Sequence, residues 1–391
     1  MQQSTWFTPE GLEDLLPPQA QKLEFYRRKL VDGFELSGFE LVLPPIAEFT
    51  DSLLTGTAGH MAVDTCRFTD QESGRMMGVR ADMTPQVARI VSNRLKAKST
   101  ISRLCYVGEV LKTRNNKAKG SRSPIQVGAE LFGHQGVESD IEIIELMLES
   151  MQRIQLPDIK MSLGHVAIVT ELMELAGFNA KQTKEFINIL QRKAIPEYES
   201  FISGLELSAD MQAKFEVLPT LCGAASDVIV LAKKELSGLS DVMDAALNHI
   251  ATVIESIESS FSIPVHLDIT EMRGYQYHTG IVFASYSGDT LQPIAKGGRY
   301  DNIGSVFGLA LPATGFSLDL RSALDLLANV ELNVKETVYV PQIANAELKT
   351  AIAELKSNGY RVIKSYDMND VTVGAKKLVE ESGSWAVKTA V

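Results

Sequence analysis

Asp82, Gln126 and Glu130 offer oxygen acceptors to an ammonium group, Arg273 offers a guanidinium fork that can clamp a carboxylate, and Tyr277, His278 and Tyr300 offer rings that frame another ring. Brought to one place, this set suits a free α-amino acid. Taken singly, each residue is better explained by a structural role. A strand glutamate such as Glu130 is usually solvent-facing or paired, and a tyrosine after paired glycines, as at Tyr300, often only packs. A second chemistry sits between the apolar runs 104–111 and 125–132. The intervening loop carries Lys112, Arg114, Lys117, Lys119 and Arg122 with no acidic residue among them, which reads as a β-hairpin with a cationic tip. Such a tip above a sheet attracts phosphate; the alternative is a solvated, mobile loop.

Other chemistries find no support. The glycine pair in KGGRYD (296–301) comes nearest to a phosphate loop but lacks the Lys-Ser/Thr ending, and paired glycines usually mark a tight turn. The six histidines are scattered, with no HExxH and no Cys/His cluster, and there is no GxSxG. No catalytic metal or cofactor-binding loop is therefore indicated.

With 391 residues, 45% of them hydrophobic, the chain is long enough for two or three domains. A net charge of −11 argues against broad nucleic-acid binding, though a local basic patch can still bind RNA. Cys66, Cys105 and Cys222 sit in apolar contexts without CxxC spacing and read as reduced core thiols. No secretory leader and no uncharged apolar run of membrane-spanning length is seen, so a cytoplasmic protein is expected.

The elements that must position these residues follow from periodicity. Leu23, Tyr26, Leu30 and Phe34 form one face of a helix ended by Gly38. A strand over 39–43 runs into Pro44 and Pro45, which marks an edge and a candidate dimer seam. A hairpin over 65–69 and 75–80 precedes Asp82. Thr84 followed by Pro85 predicts an N-capped helix buried through Val87, Ile90, Val91 and Leu95. A helix over 137–151, a strand over 159–163 and a helix ending at Gly177 come next. The stretch 178–260 is periodic throughout and predicts an all-helical insertion. Strands over 265–270, 280–286, 291–295 and 313–318 then resume the sheet. After Asn333, strand and helix alternate, with one helix through Leu348 and Leu355 and another around Leu378, which predicts a small parallel sheet. The expected domains are 1–177 with 261–330, then 178–260, then 331–391.

PEGLEDLLP, GFELVLPPIAEFTD, VRADMTPQVAR, YVGEVLKT with IQVGAELFG, RGYQYHTGIVF, GGRYD and ATGFSLDL stand in the order found in the core of class II aminoacyl-tRNA synthetases. The chain resembles in particular the histidyl-tRNA synthetase family over roughly 8–327. That resemblance implies an α+β fold: an antiparallel sheet of six to seven strands flanked by helices, dimerised near Pro45. It also implies that Asp82, Thr84, Gln126, Glu130, Arg273 and Tyr300 stand where the synthetase holds the ammonium, carboxylate and imidazole of histidine. RGLDYY of the synthetase reads RGYQYH here, which puts Tyr277 beside His278 in place of a ring-recognising tyrosine.

The nucleotide half departs from the pattern. The synthetase hairpin F-R-x-E, whose arginine grips the α-phosphate, reads Leu111, Lys112, Thr113 and Arg114. The Glu-Arg pair of the third motif, whose arginine holds the γ-phosphate, is replaced after GFSLDL by Arg321 and Ser322. Lysine cannot supply the planar fork of arginine. Losing two charge-stabilising contacts of about 3 kcal/mol each would slow activation roughly 10⁴-fold.

A core of this length with broken nucleotide motifs and a short tail resembles the regulatory-subunit family of ATP phosphoribosyltransferase. The resemblance implies a non-catalytic protein that joins a short catalytic subunit in a hetero-oligomer such as a hetero-octamer. It implies histidine as feedback effector and no role for tRNA. A divergent active synthetase, or an amino-acid-binding module or paralogue acting on a protein substrate, are the other readings.

Overall fold

A computed structural model describes residues 8–54, 59–95, 101–114, 121–272, 274–275, 277–308, 310–327, 335–381 and 383–390. The chain divides into two compact units, Met1–Ala328 and Asn329–Val391.

The larger unit opens with α1 (Gln19–Leu36), which buries Leu23, Tyr26, Leu30 and Phe34 and stops before Gly38 in the left-handed region. Next come β1 (Glu40–Leu41), β2 (Ala47–Phe49), α2 (Thr50–Leu53), α3 (Gly59–Asp64), β3 (Arg67–Thr69), β4 (Met76–Val79) and α4 (Thr84–Ile90). The central hairpin is β5 (Ser102–Glu109) and β6 (Ile125–Phe132), followed by α5 (Val137–Arg153), β7 (Lys160–His165) and α6 (Val166–Leu175). A helical stretch holds α7 (Ala180–Arg192), α8 (Ile195–Ser203), α9 (Ala209–Val217), β8 (Cys222–Ala224), α10 (Ala225–Leu236) and α11 (Asp241–Ser260). The sheet then resumes with β9 (Val265–Asp268), β10 (Ile281–Tyr286), β11 (Ala295–Arg299) and β12 (Ala313–Asp319), ending in the single turn α12 (Leu320–Ala323).

Nine strands form one sheet in the order β1-β5-β6-β12-β11-β10-β7-β9-β8, while β2, β4 and β3 make a separate small sheet. From β5 to β7 all pairings are antiparallel; β1 on β5 and β9 on β7 are parallel. The sheet is therefore mixed and wider than the six- to seven-stranded antiparallel sheet expected. The additional strands are very short and lie at its two margins, where backbone pairing needs little sequence signal. α5 backs one face through Ile143, Ile144, Met147, Leu148 and Met151, and α11 packs beside it. Each such fully buried side chain contributes roughly 1.5–3 kcal/mol.

Three local expectations are corrected. The strand expected over 291–295 begins only at Ala295 and continues through Lys296, Gly297 and Gly298 to Arg299, so the apparent glycine loop is the central strand β11. The stretch 178–260 is not all-helical, because β8 pairs antiparallel with β9. Thr84 is not the N-cap of α4: its hydroxyl turns to Glu130 and Tyr106, and Asp82 Oδ1 instead accepts from Thr84 N at 3.0 Å.

In the smaller unit, β13 (Thr337–Pro341), α13 (Ala346–Ser357), β14 (Arg361–Ser365), β15 (Lys376–Glu381) and β16 (Ser384–Thr389) form a sheet in the order β14-β13-β15-β16. Val338, Val340, Leu348, Leu355 and Leu378 are its core. The helix expected around Leu378 is β15, paired antiparallel with β16 around a turn that holds Gly383 at positive φ. The sheet is accordingly mixed rather than parallel. Among the described residues of both units, no helix is long and apolar enough to cross a membrane.

Candidate functional site

One face of the large sheet is hollowed by a row of residues with little or no side chain. Strand register places Glu130 of β6 beside Gly315 of β12, Gly315 beside Gly298 of β11, Gly298 beside Val282 of β10, and Val282 beside Gly164 of β7. Side chains at paired positions share a face, so Gly298 and Gly315 form a main-chain floor, while Gly164 lies under the turn after β9. A cavity of about 530 Å³ stands on it, within the size range of small-molecule sites. Gly315 has no alternative: an added Cβ would lie 1.6 Å from Glu130 Oε2.

Glu130 is 1% exposed and is the acceptor on which the cavity wall converges. Its Oε1 accepts from Thr84 Oγ1 at 2.7 Å and Tyr106 OH at 3.0 Å, and its Oε2 accepts from Tyr300 OH. Burial pushes the Glu130 carboxyl well above its ordinary range; the Thr84 hydroxyl opposes this, and the charge of Asp82 adds to it. Asp82 and Gln126 lock one another at the cavity edge. Gln126 Nε2 donates to Asp82 Oδ1 at 2.9 Å, while Met83 N donates to Gln126 Oε1 at 2.9 Å.

The aromatic side of the cavity is a cluster in which Tyr277 lies 5.1 Å from Tyr300 and 5.2 Å from His278 between ring centroids. Burial drives the His278 imidazole down to about 4, so the ring is neutral at neutral pH. Among the described residues, Tyr277 OH and His278 Nδ1 are buried without a hydrogen-bond partner. Both residues line the cavity, with the Thr84 hydroxyl beside Tyr277 and the Arg299 main chain beside the His278 ring, so a ligand carrying a polar ring would compete with those groups for the hydroxyl and the imidazole.

Asp82, Thr84, Glu130, Tyr277, His278 and Tyr300 thus share one cavity; Gln126 stands behind Asp82, and Arg273 lies outside the described residues. Sequence reasoning missed Tyr106, although strand alternation was the available signal, since it pairs with Gly128 on the face that carries Gln126 and Glu130. Gln191 of α7 also lines the cavity and carried no sequence signal, because nothing local to α7 indicates which part of the sheet its end will meet.

A smaller annex of about 160 Å³ shares Asp82, Lys296 and Ser317 with the main cavity. Lys112, Arg114 and Asp319 line it as well. Arg114 lies 3.7 Å from Asp64, and Lys117 and Lys119 of the cationic tip fall outside the described residues. Arg122 and Arg321 turn away to the N-terminal segment. Arg122 Nη1 donates to Glu10 O at 3.5 Å while its Nε donates to Lys112 O at 3.0 Å, and Glu13 O accepts from Arg321 Nη1 at 3.1 Å. Among the described residues, no group of three His, Cys, Asp or Glu side chains is placed to hold a metal ion.

On the opposite face of β11, Arg299 is buried against α5. It donates from Nε to Asp140 Oδ2 at 2.9 Å and from Nη2 to Ser139 Oγ at 2.7 Å, and His249 Nε2 of α11 lies 2.9 Å from the same Asp140 oxygen. This network fixes the strand that delivers Tyr300 to the cavity.

A wide sheet with a cavity on one face and helices on the other is the class II aminoacyl-tRNA synthetase-like fold. The histidyl-tRNA synthetase family model matches residues 11–323. Histidyl-tRNA synthetase from Nostoc sp. PCC 7120, 17% identical, shares the fold with a TM-score of 0.76 over 94% of this chain and 88% of that chain. Within that fold, the chain belongs to the family of ATP phosphoribosyltransferase regulatory subunits. It is 56% identical to the regulatory subunit of Hydrogenovibrio crunogenus over 98% of this chain and 99% of the relative. It is 43% identical to that of Thioalkalivibrio sulfidiphilus over 92% and 91%. A crystal structure of an ATP phosphoribosyltransferase regulatory subunit/histidyl-tRNA synthetase from Bacillus halodurans, 26% identical, matches with a TM-score of 0.81 over 95% of this chain and 96% of that chain.

Proposed function

We propose that this chain is a non-catalytic, cytoplasmic regulatory subunit. It joins the short catalytic subunit of ATP phosphoribosyltransferase in a hetero-oligomer, raises its activity, and carries histidine feedback to it. The observation that supports this reading best is the imbalance between the two halves of the site. The amino-acid cavity keeps a buried carboxyl, an Asp-Gln pair and a tyrosine and a neutral histidine ring on its wall. The nucleotide half has Lys112 where a synthetase has its first arginine, and Arg321 is spent on a backbone carbonyl of the N-terminal segment.

Histidine coupling requires that the partner bind the occupied and empty forms unequally. Titration calorimetry is expected to give saturable histidine binding to the parent chain, and histidine-dependent ATP–pyrophosphate exchange is expected to be absent. No heat from the parent would remove the sensor, and robust exchange would overturn the non-catalytic reading.

We further propose that the chain pairs with a second copy along the β1 margin of the sheet. Leu43 and Ile46 there are 73% and 57% exposed, and nearby Gln86 Oε1 and Arg89 Nε are buried without partners among the described residues. Leu43→Asp with Ile46→Asp is expected to halve the mass of the isolated subunit measured by light scattering. An unchanged mass would place the seam elsewhere.

A further inference from the structure

α7 ends where its sequence alone would not require. The cap residue after Arg192 is Lys193, held at φ 51 and ψ 39, a left-handed conformation that helix ends normally assign to glycine. A side chain that crowds its own backbone in this way is retained when the side chain has work elsewhere. Here the ammonium reaches across to the turn after β9. Asp268 Oδ2 accepts from Lys193 Nζ at 2.5 Å, and Thr270 Oγ1 does so at 2.8 Å. Asp268 Oδ1 in turn accepts from Thr270 N at 2.9 Å and from Thr270 Oγ1 at 2.7 Å, which closes the turn on itself.

Two residues earlier, Gln191 Nε2 donates to Met272 O at 3.0 Å. The turn so held lies flat on β7: a Cβ added at Gly164 would stand 2.7 Å from Glu271 Cβ and 3.2 Å from Asp268 O. Gln191, Glu271 and Ser162 border both the amino-acid cavity and an open groove of about 830 Å³ outside it. They therefore stand at the mouth, and the chain continues from Met272 to the cavity residues Gly274, Tyr277 and His278.

We propose that the end of α7 is the latch of the amino-acid cavity. Lys193 is a positioning residue that pins the Asp268–Thr270 turn onto β7, and Gln191 pins Met272, so the helical stretch and the cavity mouth open or close together. The inference rests on the amino-acid reading of the cavity only for the identity of its ligand.

Lys193→Gly separates the latch from stability, because glycine relaxes the left-handed cap while removing the ammonium. Hydrogen–deuterium exchange of peptides covering 266–272, in the full chain without ligand, is expected to be several-fold faster in Lys193→Gly than in the parent, as local opening no longer breaks a charge-assisted bond. Thermal unfolding should occur at the same or a higher temperature. Lys193→Arg is expected to restore the parent exchange rate. Histidine release, followed by stopped flow, is expected to quicken about tenfold in Lys193→Gly, with a smaller change in the association rate. Equal exchange of 266–272 in parent and Lys193→Gly would overturn the latch. A parent chain that binds no histidine would instead remove the ligand reading, while the ligand-free exchange comparison would still decide the latch.

Discussion

Glu130→Ala is expected to abolish detectable histidine binding in calorimetry and to lower the unfolding free energy by about 3 kcal/mol in a denaturant titration. Three buried or largely buried hydroxyls, those of Thr84, Tyr106 and Tyr300, donate to this one carboxyl. Truncation strips all of them of their acceptor at once, and each buried orphan costs on the order of 1–3 kcal/mol, part of which is recovered by rearrangement. Loss of stability without loss of binding would mean that the ligand sits elsewhere.

Glu130→Gln tests the charge separately. Because the folded protein raises this carboxyl above its ordinary 4.5, the native state holds the proton more tightly than the unfolded chain does. The contribution of Glu130 to stability is therefore fully present below pH 4.5 and declines as pH rises through the folded value. The stability of the parent relative to Glu130→Gln should fall across that window. A difference that stays flat with pH would contradict the raised value.

Asp140→Ala is expected to be the most destabilising single change on the other face of the sheet, by about 3 kcal/mol, since it removes the acceptor of Arg299 Nε and leaves the buried guanidinium only Asp301, 3.2 Å from Nη1, as counter-charge. Burial alone would raise the Asp140 carboxyl, yet the His249 ring and Arg299 hold it below 3.8. The pair is therefore ionised at neutral pH and joins β11 to α5 and α11. Asp140→Asn, which keeps an acceptor for Arg299, should cost distinctly less. Because Tyr300 follows Arg299 directly, histidine affinity should drop in both variants, more in the alanine. A loss below about 1 kcal/mol in Asp140→Ala would show that the network is not the clamp described.

Much of the site was legible because it is built from local pattern. The apolar run 125–132 reads as a strand, in which Gln126 and Glu130, four residues apart, fall on one face without any tertiary knowledge, and the helix after Pro85 is announced by the proline itself. What escaped depends on partners distant in sequence. Lys296 to Arg299 looks like a loop because glycines normally break strands; here they are tolerated because the neighbouring strands come close at those positions. Leu378 has the spacing of a helix but lies on a hairpin whose turn glycine outweighs propensity. Thr84 looks like a cap, and burial beside Glu130 gives its hydroxyl a stronger acceptor than the end of its own helix.

The main-chain floor at Gly298 and Gly315 also limits how an artificial antagonist could be elaborated. Substituents pointed down meet backbone that is already engaged in strand pairing and cannot step aside. Growth sideways, toward Lys112 and Arg114 in the annex, reaches side chains that a tRNA-charging enzyme with an arginine and a glutamate at those places would not present. An anionic arm on that flank would meet Arg114 where the synthetase motif has a glutamate, with Asp82 and Asp319 on the same annex limiting where the charge can sit.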